Sequence, residues 1–189
     1  MTEQCDVLII GAGVAGLSTA WRLAEHRRVV IVERESQPGY HTSGRSAAQF
    51  AQTFEPPAMR RLAVASRDFF ERPPHGFADH PIATPRSSLV LARPGQEDAL
   101  EAEIEACAAL GIGARLVGEA ETRRLFPPLL PGLFSAGLDE PEAKYLDVDL
   151  ILRGYLKGMR AGGGRLAVDA EVTGLERRGG LWHAATRAG

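Results

Sequence analysis

Val7-Leu8-Ile9-Ile10-Gly11-Ala12-Gly13-Val14-Ala15-Gly16, with Val29-Val30-Ile31-Val32-Glu33 after it, is the stretch on which the fold turns. The first four residues, entered from Asp6, are a short apolar run of the kind that fills a parallel strand covered on both faces. Beyond the glycines, Leu17, Ala20, Trp21 and Ala24 recur at helical spacing, and Val29 to Val32 repeats the buried-strand signal. Strand, glycine turn, helix and strand within about thirty residues make one βαβ crossover.

The glycines fall where a phosphate-binding turn needs them. Gly11 allows the tight turn, Gly13 lets the backbone approach a pyrophosphate, and Gly16 lets the helix pack on its strand. Ala12, Val14 and Ala15 supply the backbone between and after them, and the helix start offers N–H groups and a positive dipole end to an anion. Glu33 ends the second strand about twenty residues after Gly11, where a carboxylate accepts from an adenosine ribose and repels a 2′-phosphate. Arg34 follows it. The pattern predicts a Rossmann-like α/β domain for a non-phosphorylated adenine dinucleotide, and alone does not separate FAD from NAD.

The rest of the chain fits such a domain. Its 189 residues suffice for one domain or one and a half, and 44% hydrophobic with 24% charged residues exclude a disordered or fibrous chain. Twenty-two basic against 24 acidic side chains leave a formal charge of −2, and the arginine pairs are scattered, so nucleic acid is not an expected partner. The first apolar run lacks the basic start and the length of a signal peptide, and no run has the length of a transmembrane span. Cys5 and Cys107 form no CxxC, and no histidine spacing suggests a metal site. Both cysteines are expected to be buried thiols of a cytoplasmic protein.

Along the chain, residues 35–49 read as a loop whose small-residue end starts a helix. Pro57 to Phe70 reads as a helix stopped by Pro73 and Pro74. His80 to Ala92 is strand-like, most clearly from Ser88 to Leu91, and Glu97 to Leu110 is an amphipathic helix. A strand is expected from Leu133 to Leu138. Asp147 reads as the cap of a helix running to about Met159 and ended by Gly162-Gly163-Gly164. Arg165 to Val172 and a hairpin from Leu175 to Thr186, turning at Gly179-Gly180, complete the pattern.

Pro38-Gly39-Tyr40-His41-Thr42-Ser43-Gly44-Arg45-Ser46-Ala47-Ala48 follows Glu33-Arg34-Glu35, and here the sequence resembles the FAD-dependent amino-acid oxidase and dehydrogenase family. The likeness is greatest to its bacterial D-arginine dehydrogenase branch. It extends through Ala65-Ser66-Arg67-Asp68-Phe69-Phe70, His80-Pro81 and Gly154-Tyr155-Leu156-Lys157-Gly158. The resemblance implies FAD as cofactor, lined here by Thr42, Ser43, Arg45, Ser46, Ala47 and Ala48, with the Val172 backbone near the adenine. His41 sits beside that segment, outside its small-residue core. The resemblance further implies an FAD-binding domain from residues 1–79 and 143–189, and part of a substrate-facing cap from 80–142.

The same comparison implies oxidation of a small-molecule amino-acid substrate, a D-amino acid, by hydride transfer to flavin N5. The branch's active-site histidine and tyrosine are matched by Gln49 and Phe54, and the acidic residue that pairs with the substrate guanidinium by Ser88. Those departures lead us to expect a non-basic substrate. Enzymes of the family run to about twice this length, a two-domain size, so this chain corresponds to an amino-terminal half and is expected to be inactive alone. The alternatives are a glycine or sarcosine oxidase-like enzyme and a non-catalytic flavin-binding fragment.

Overall fold

β-Branched side chains pack well on a pleated, covered surface, and here they build the parallel strands. A computed structural model describes residues 3–53 and 56–187. In chain order the first half comprises β1 (Val7–Ile10), α1 (Val14–Ala24), β2 (Val29–Val32), β3 (Gln49–Phe50), α2 (Pro57–Glu71), β4 (Ala83–Pro85) and β5 (Ser88–Ala92). The second comprises α3 (Glu97–Ala108), β6 (Arg115–Gly118), α4 (Glu119–Leu125), β7 (Ala136–Glu140), β8 (Lys144–Leu146), α5 (Val148–Ala161), β9 (Arg165–Ala167), β10 (Val172–Arg178) and β11 (Leu181–Thr186).

Among the described residues two compact units form. One holds Met1–Ala47, Pro74–Ile82 and Asp147–Gly189, the other Ala48–Pro73 and Ala83–Leu146. The first is the α/β unit expected from the glycine pattern. Its sheet runs β1-β2-β9, all parallel, with Val7 opposite Val29 and Val30 opposite Arg165. The antiparallel pair β10-β11 stands beside it as a separate hairpin.

Helices α1 and α5 pack against each other in this unit, and their contact explains the small residues of α5. Ideal Cβ atoms at Gly154 and Gly158 would lie 2.5 Å from the Phe77 ring and 2.4 Å from the Trp21 indole. Spaced four apart, these glycines form one bare face on which the aromatics rest. Trp21, Phe77 and Tyr155 meet with centroids 5.1 to 5.7 Å apart in tilted and edge-on arrangements, as ring quadrupoles favour. The Asp147 side chain accepts from Leu150 N at 2.9 Å, the expected cap.

The second unit contains two three-stranded sheets, β3-β8-β4 and β5-β7-β6. Leu100 and Ile104 of α3 pack on Ala92, Ala136 and Leu138 of the latter. Its central strand β7 is buried at every position, including Asp139 and Glu140. Burial of ionised groups requires partners. Arg115 holds Asp139 at 2.7 Å, and Glu140 accepts from Gln52 N at 2.8 Å and Thr53 Oγ1 at 2.9 Å. Arg60, itself buried, pairs with Glu103.

Several sequence expectations are corrected. The small residues 46–48 start no helix; they lead into β3, because Leu146 N bonds Ala48 O at 2.7 Å and β8 pairs with Gln49 and Phe50. The strand placed at Leu133–Leu138 begins at Ala136 and runs through two buried carboxylates. The stretch Arg165–Val172 divides at a bend around Asp169, whose φ is +53°. Strands β6 and β8 and helix α4 were not expected. No described helix is long and apolar enough to cross a membrane.

Two measurements check this packing. Gly154→Ala pushes a methyl into a ring already fixed between two others, and we expect a loss of about 1–3 kcal/mol in chemical denaturation. Burial pushes the Cys107 thiol up to about 11, while Cys5 is only half-buried. Alkylation of the native chain at mildly alkaline pH should therefore modify Cys5 first and spare Cys107, as mass spectrometry would read.

Candidate functional site

The glycine turn closes on itself through backbone. Gly11 adopts φ +99°, a region open to glycine, and an ideal Cβ at Gly16 would lie 2.0 Å from Gly11 O. No side chain larger than hydrogen fits at Gly16, which brings α1 hard against the end of β1. The first intrahelical bond is Leu17 N to Gly13 O, so the N–H groups of Val14, Ala15 and Gly16 precede any helical acceptor. Ser43 Oγ, 29 positions along, accepts from Val14 N at 3.0 Å and caps the helix from outside.

Glu33 is buried and commits both carboxylate oxygens to backbone. Oε2 accepts from Ala12 N at 2.7 Å and Oε1 from Glu35 N at 3.0 Å. The sequence reading gave this carboxylate to a ribose. Its first task in the structure is to tie the glycine turn to the residues that leave β2. Each oxygen keeps a further lone pair, so acceptance from a ribose hydroxyl stays chemically open.

Between these parts lies a pocket of about 500 Å³, within the range of small-ligand sites. Gly11, Gly13, Glu33, Arg34, Thr42 and Ser43 line it, and Val172 joins them. Of the other candidate cofactor residues, Ala12 is buried beneath the turn and Val14, Ala15 and Gly16 form the helix start. Arg45, Ser46 and Ala47 are exposed, and Arg45 stacks 5.2 Å over the Tyr40 ring. Ala48 is buried at φ +55°, a strained conformation for a residue with a Cβ.

Sequence reasoning did not place Ile10, Val32, Gly39, Tyr40, Ala170 or Glu171 in this lining. The first two are strand ends whose position follows from the turn, and such a signal was available. Ala170 and Glu171 carried none: they reach the pocket because β9 pairs with β2, Glu33 N bonding Ala167 O at 2.8 Å and Ala170 N bonding Glu33 O at 2.8 Å. His41 also lines the pocket, with its Nε2 2.6 Å from Glu35. That hydrogen bond, more than the neighbouring charges, holds the Glu35 carboxyl below the usual carboxylate range.

Gln49 and Ser88, two of the candidate substrate residues, lie in the second unit. Gln49 is exposed on β3, opposite Tyr145. Ser88 is buried at the start of β5, opposite Glu140. They sit in different sheets of that unit. Phe54 lies outside the described residues.

These features fit an adenine dinucleotide. The turn accepts no side chain at Gly16, an ideal Cβ at Gly13 would already stand 3.1 Å from Ser43 Oγ, and a carboxylate is fixed where β2 ends. Residues 6–189 match the family model described as "FAD dependent oxidoreductase". The chain is 26% identical over 184 residues to the sarcosine oxidase subunit beta of Rhizobium meliloti, covering 93% of this chain and 44% of that subunit. In fold it is similar to L-proline dehydrogenase from P. horikoshii, with a TM-score of 0.84 at 19% identity, and to glycine oxidase from Geobacillus kaustophilus, with 0.83 at 20%. All of this chain and about half of each of those two, 50% and 53%, are covered.

The role of Glu33 in shaping the turn can be measured. Glu33→Gln replaces one accepting oxygen by a donor that faces a backbone N–H. Such a buried, mismatched donor costs about 1–3 kcal/mol, and we expect that loss in unfolding of the chain without added ligand.

Proposed function

The chain belongs to the FAD-dependent oxidoreductase family, whose cofactor is FAD, and from that premise we propose that it is the dinucleotide-holding part of an amino-acid oxidase or dehydrogenase. The observation that carries the reading is the pocket at the ends of β1 and β2, where the glycine turn, Glu33 and the Thr42-Ser43 segment converge. FAD supplies the hydride acceptor when bound. Everything else asked of this chain is binding and orientation. The α1 start, with its dipole and the N–H groups of Ala15 and Gly16 ahead of any helical acceptor, favours the pyrophosphate, Glu33 favours a free ribose 2′-hydroxyl, and Arg34 adds a positive charge at the rim. By the family resemblance, Arg45, Ser46, Ala47 and Ala48 would be further residues holding the cofactor.

In this reading the substrate loses a hydride from Cα and a proton from nitrogen, and water then converts the imino acid to a keto acid and ammonia. Residues 80–142 contribute to a substrate-facing cap, with Gln49, Phe54 and Ser88 at substrate-side positions. Ser88 offers a hydroxyl where the branch has a carboxylate, and the Glu140 carboxylate opposite it is already taken by Gln52 and Thr53; the charge-assisted bond thus missing costs a substrate guanidinium about 1.5–3 kcal/mol. A non-basic substrate follows, and the resemblance to D-arginine dehydrogenases favours the D-enantiomer.

A second reading, a glycine or sarcosine oxidase-like enzyme acting on a small or secondary amine, is supported by the likeness to a sarcosine oxidase subunit over 93% of the chain. Because the chain spans about half the length of the solved structures it matches, turnover is proposed to need the other half of such a fold.

Absorption spectroscopy tests both levels. The purified chain, supplied with FAD and desalted, should retain a flavin band and show little reduction by any amino acid. Joined to a complementary second half, it should be reduced by neutral D-amino acids faster than by D-arginine. Faster reduction by sarcosine or glycine would put the second reading first. Loss of all flavin on desalting from a folded chain would refute the cofactor role.

A further inference from the structure

Three side chains at the rim of the dinucleotide pocket make contacts that cannot all be satisfied together. His41 Nε2 lies 2.6 Å from Glu35 Oε1 and 2.7 Å from Arg34 Nη2, and Arg34 Nε donates to that same Glu35 oxygen at 3.1 Å. A single ring nitrogen either carries a proton and donates or lacks one and accepts, whereas a carboxylate only accepts and a guanidinium only donates. With Nε2 protonated, the Glu35 contact is a hydrogen bond and the Arg34 contact sets donor against donor. With Nε2 bare, Arg34 becomes the partner and Glu35 meets a lone pair. Both separations are hydrogen-bond distances, so in either state the mismatched group must turn away.

The direction in which Arg34 can turn gives this choice a consequence. Arg34 and His41 both line the pocket, and their side chains are 55% and 43% exposed, free enough to move. Glu35 is anchored by its own backbone, whose N–H donates to the buried Glu33 carboxylate. Other charged or titratable groups near His41 and Glu35 among the described residues are Tyr40, edge-on at 5.1 Å between centroids, Arg45 over the Tyr40 ring, Glu33, which accepts from Glu35 N, Asp169, whose N–H donates to Glu35 O at 3.0 Å, and Glu171 of the pocket lining, which pairs with Arg187.

We propose that His41 is a proton-operated positioning residue for the dinucleotide. Charged, the ring carries a proton on Nε2, pairs with Glu35 and releases Arg34 Nη2 to the anionic ligand; in its neutral Nδ1–H tautomer it takes Arg34 as its donor and holds that charge back. The proposal rests on the reading that this pocket holds FAD. The sign follows from linkage: a ligand that binds the protonated form better takes up protons as it binds, and its affinity falls as pH rises. Glu35 is the acceptor of this pair, and while His41 donates to it that hydrogen bond holds its carboxyl below the usual carboxylate range.

Calorimetric titration of the chain with FAD, in two buffers of different ionisation enthalpy, reads the proton count directly. The wild type should take up part of a proton per FAD bound, with Kd rising as pH rises by at most about tenfold per pH unit, the slope one linked proton allows. His41→Gln carries its donor and acceptor on separate atoms and serves both partners at any pH, so it should bind FAD with no uptake. Glu35→Gln removes the partner that keeps the proton on His41, and uptake should fall. Wild-type uptake in His41→Gln, undiminished uptake in Glu35→Gln, or none in the wild type would overturn the proposal while leaving FAD binding intact. A chain folded by circular dichroism that gives neither heat nor flavin spectrum at any pH overturns the FAD reading, and this proposal with it.

Discussion

A buried carboxylate with both oxygens given to main-chain N–H groups is the constraint on which the site depends. Glu33 loses its water on folding, and only donors fixed in the backbone offset that loss without adding a second buried charge. Those donors belong to Ala12 inside the glycine turn and to Glu35 beyond β2, so satisfying one side chain fixes the spacing of the two walls. Ser43 repeats the device from the other side, through Val14. The cradle's shape is therefore set by side chains remote from the turn they hold, and the glycines contribute by staying out of the way.

The second unit uses the same chemistry for a different purpose. Glu140, fully enclosed in the central strand β7, accepts from Gln52 and Thr53, and its neighbour Asp139 is matched by Arg115. The segment that follows β3 is thereby held to the middle of the sheet. A carboxylate placed inside a strand in this way fixes one loop conformation, since any shift in register would leave it buried without donors.

What could be read in the sequence follows from how local each cause is. The βαβ unit, the Asp147 cap and the helices α2, α3 and α5 depend on neighbours within a turn or two, and their residue patterns state them. Strand β8 is three residues, Lys144, Tyr145 and Leu146, that are extended because β3 and β4 pair with them on both sides. No periodicity announces that. The apolar Leu133 drew the expected strand too early, because Asp139 and Glu140 have the composition of a surface turn and are buried only through partners elsewhere. In the site, Glu33 was recognisable by its spacing, but its double bond to the backbone was not. Ala170 and Glu171 reach the pocket through the pairing of β9 with β2, a relation between residues 30 and 165 that only the fold supplies.

That pairing also orders events in time. The cradle of Ala12, Val14, Glu33 and Ser43 closes loops of 21 and 29 residues, a modest entropic demand that a growing chain can meet as soon as its first fifty or so residues leave the ribosome. Strand β9 lies far downstream, and the whole second unit is synthesised between it and its partner β2. Until it arrives, Val30, Ile31 and Val32 present an unpaired, wholly apolar edge, the kind of surface that recruits chaperones or other nascent chains. Glu33 N, which finds its acceptor in Ala167, waits for the same moment. The phosphate-binding half of the pocket can thus be shaped long before the strand that completes its far wall exists.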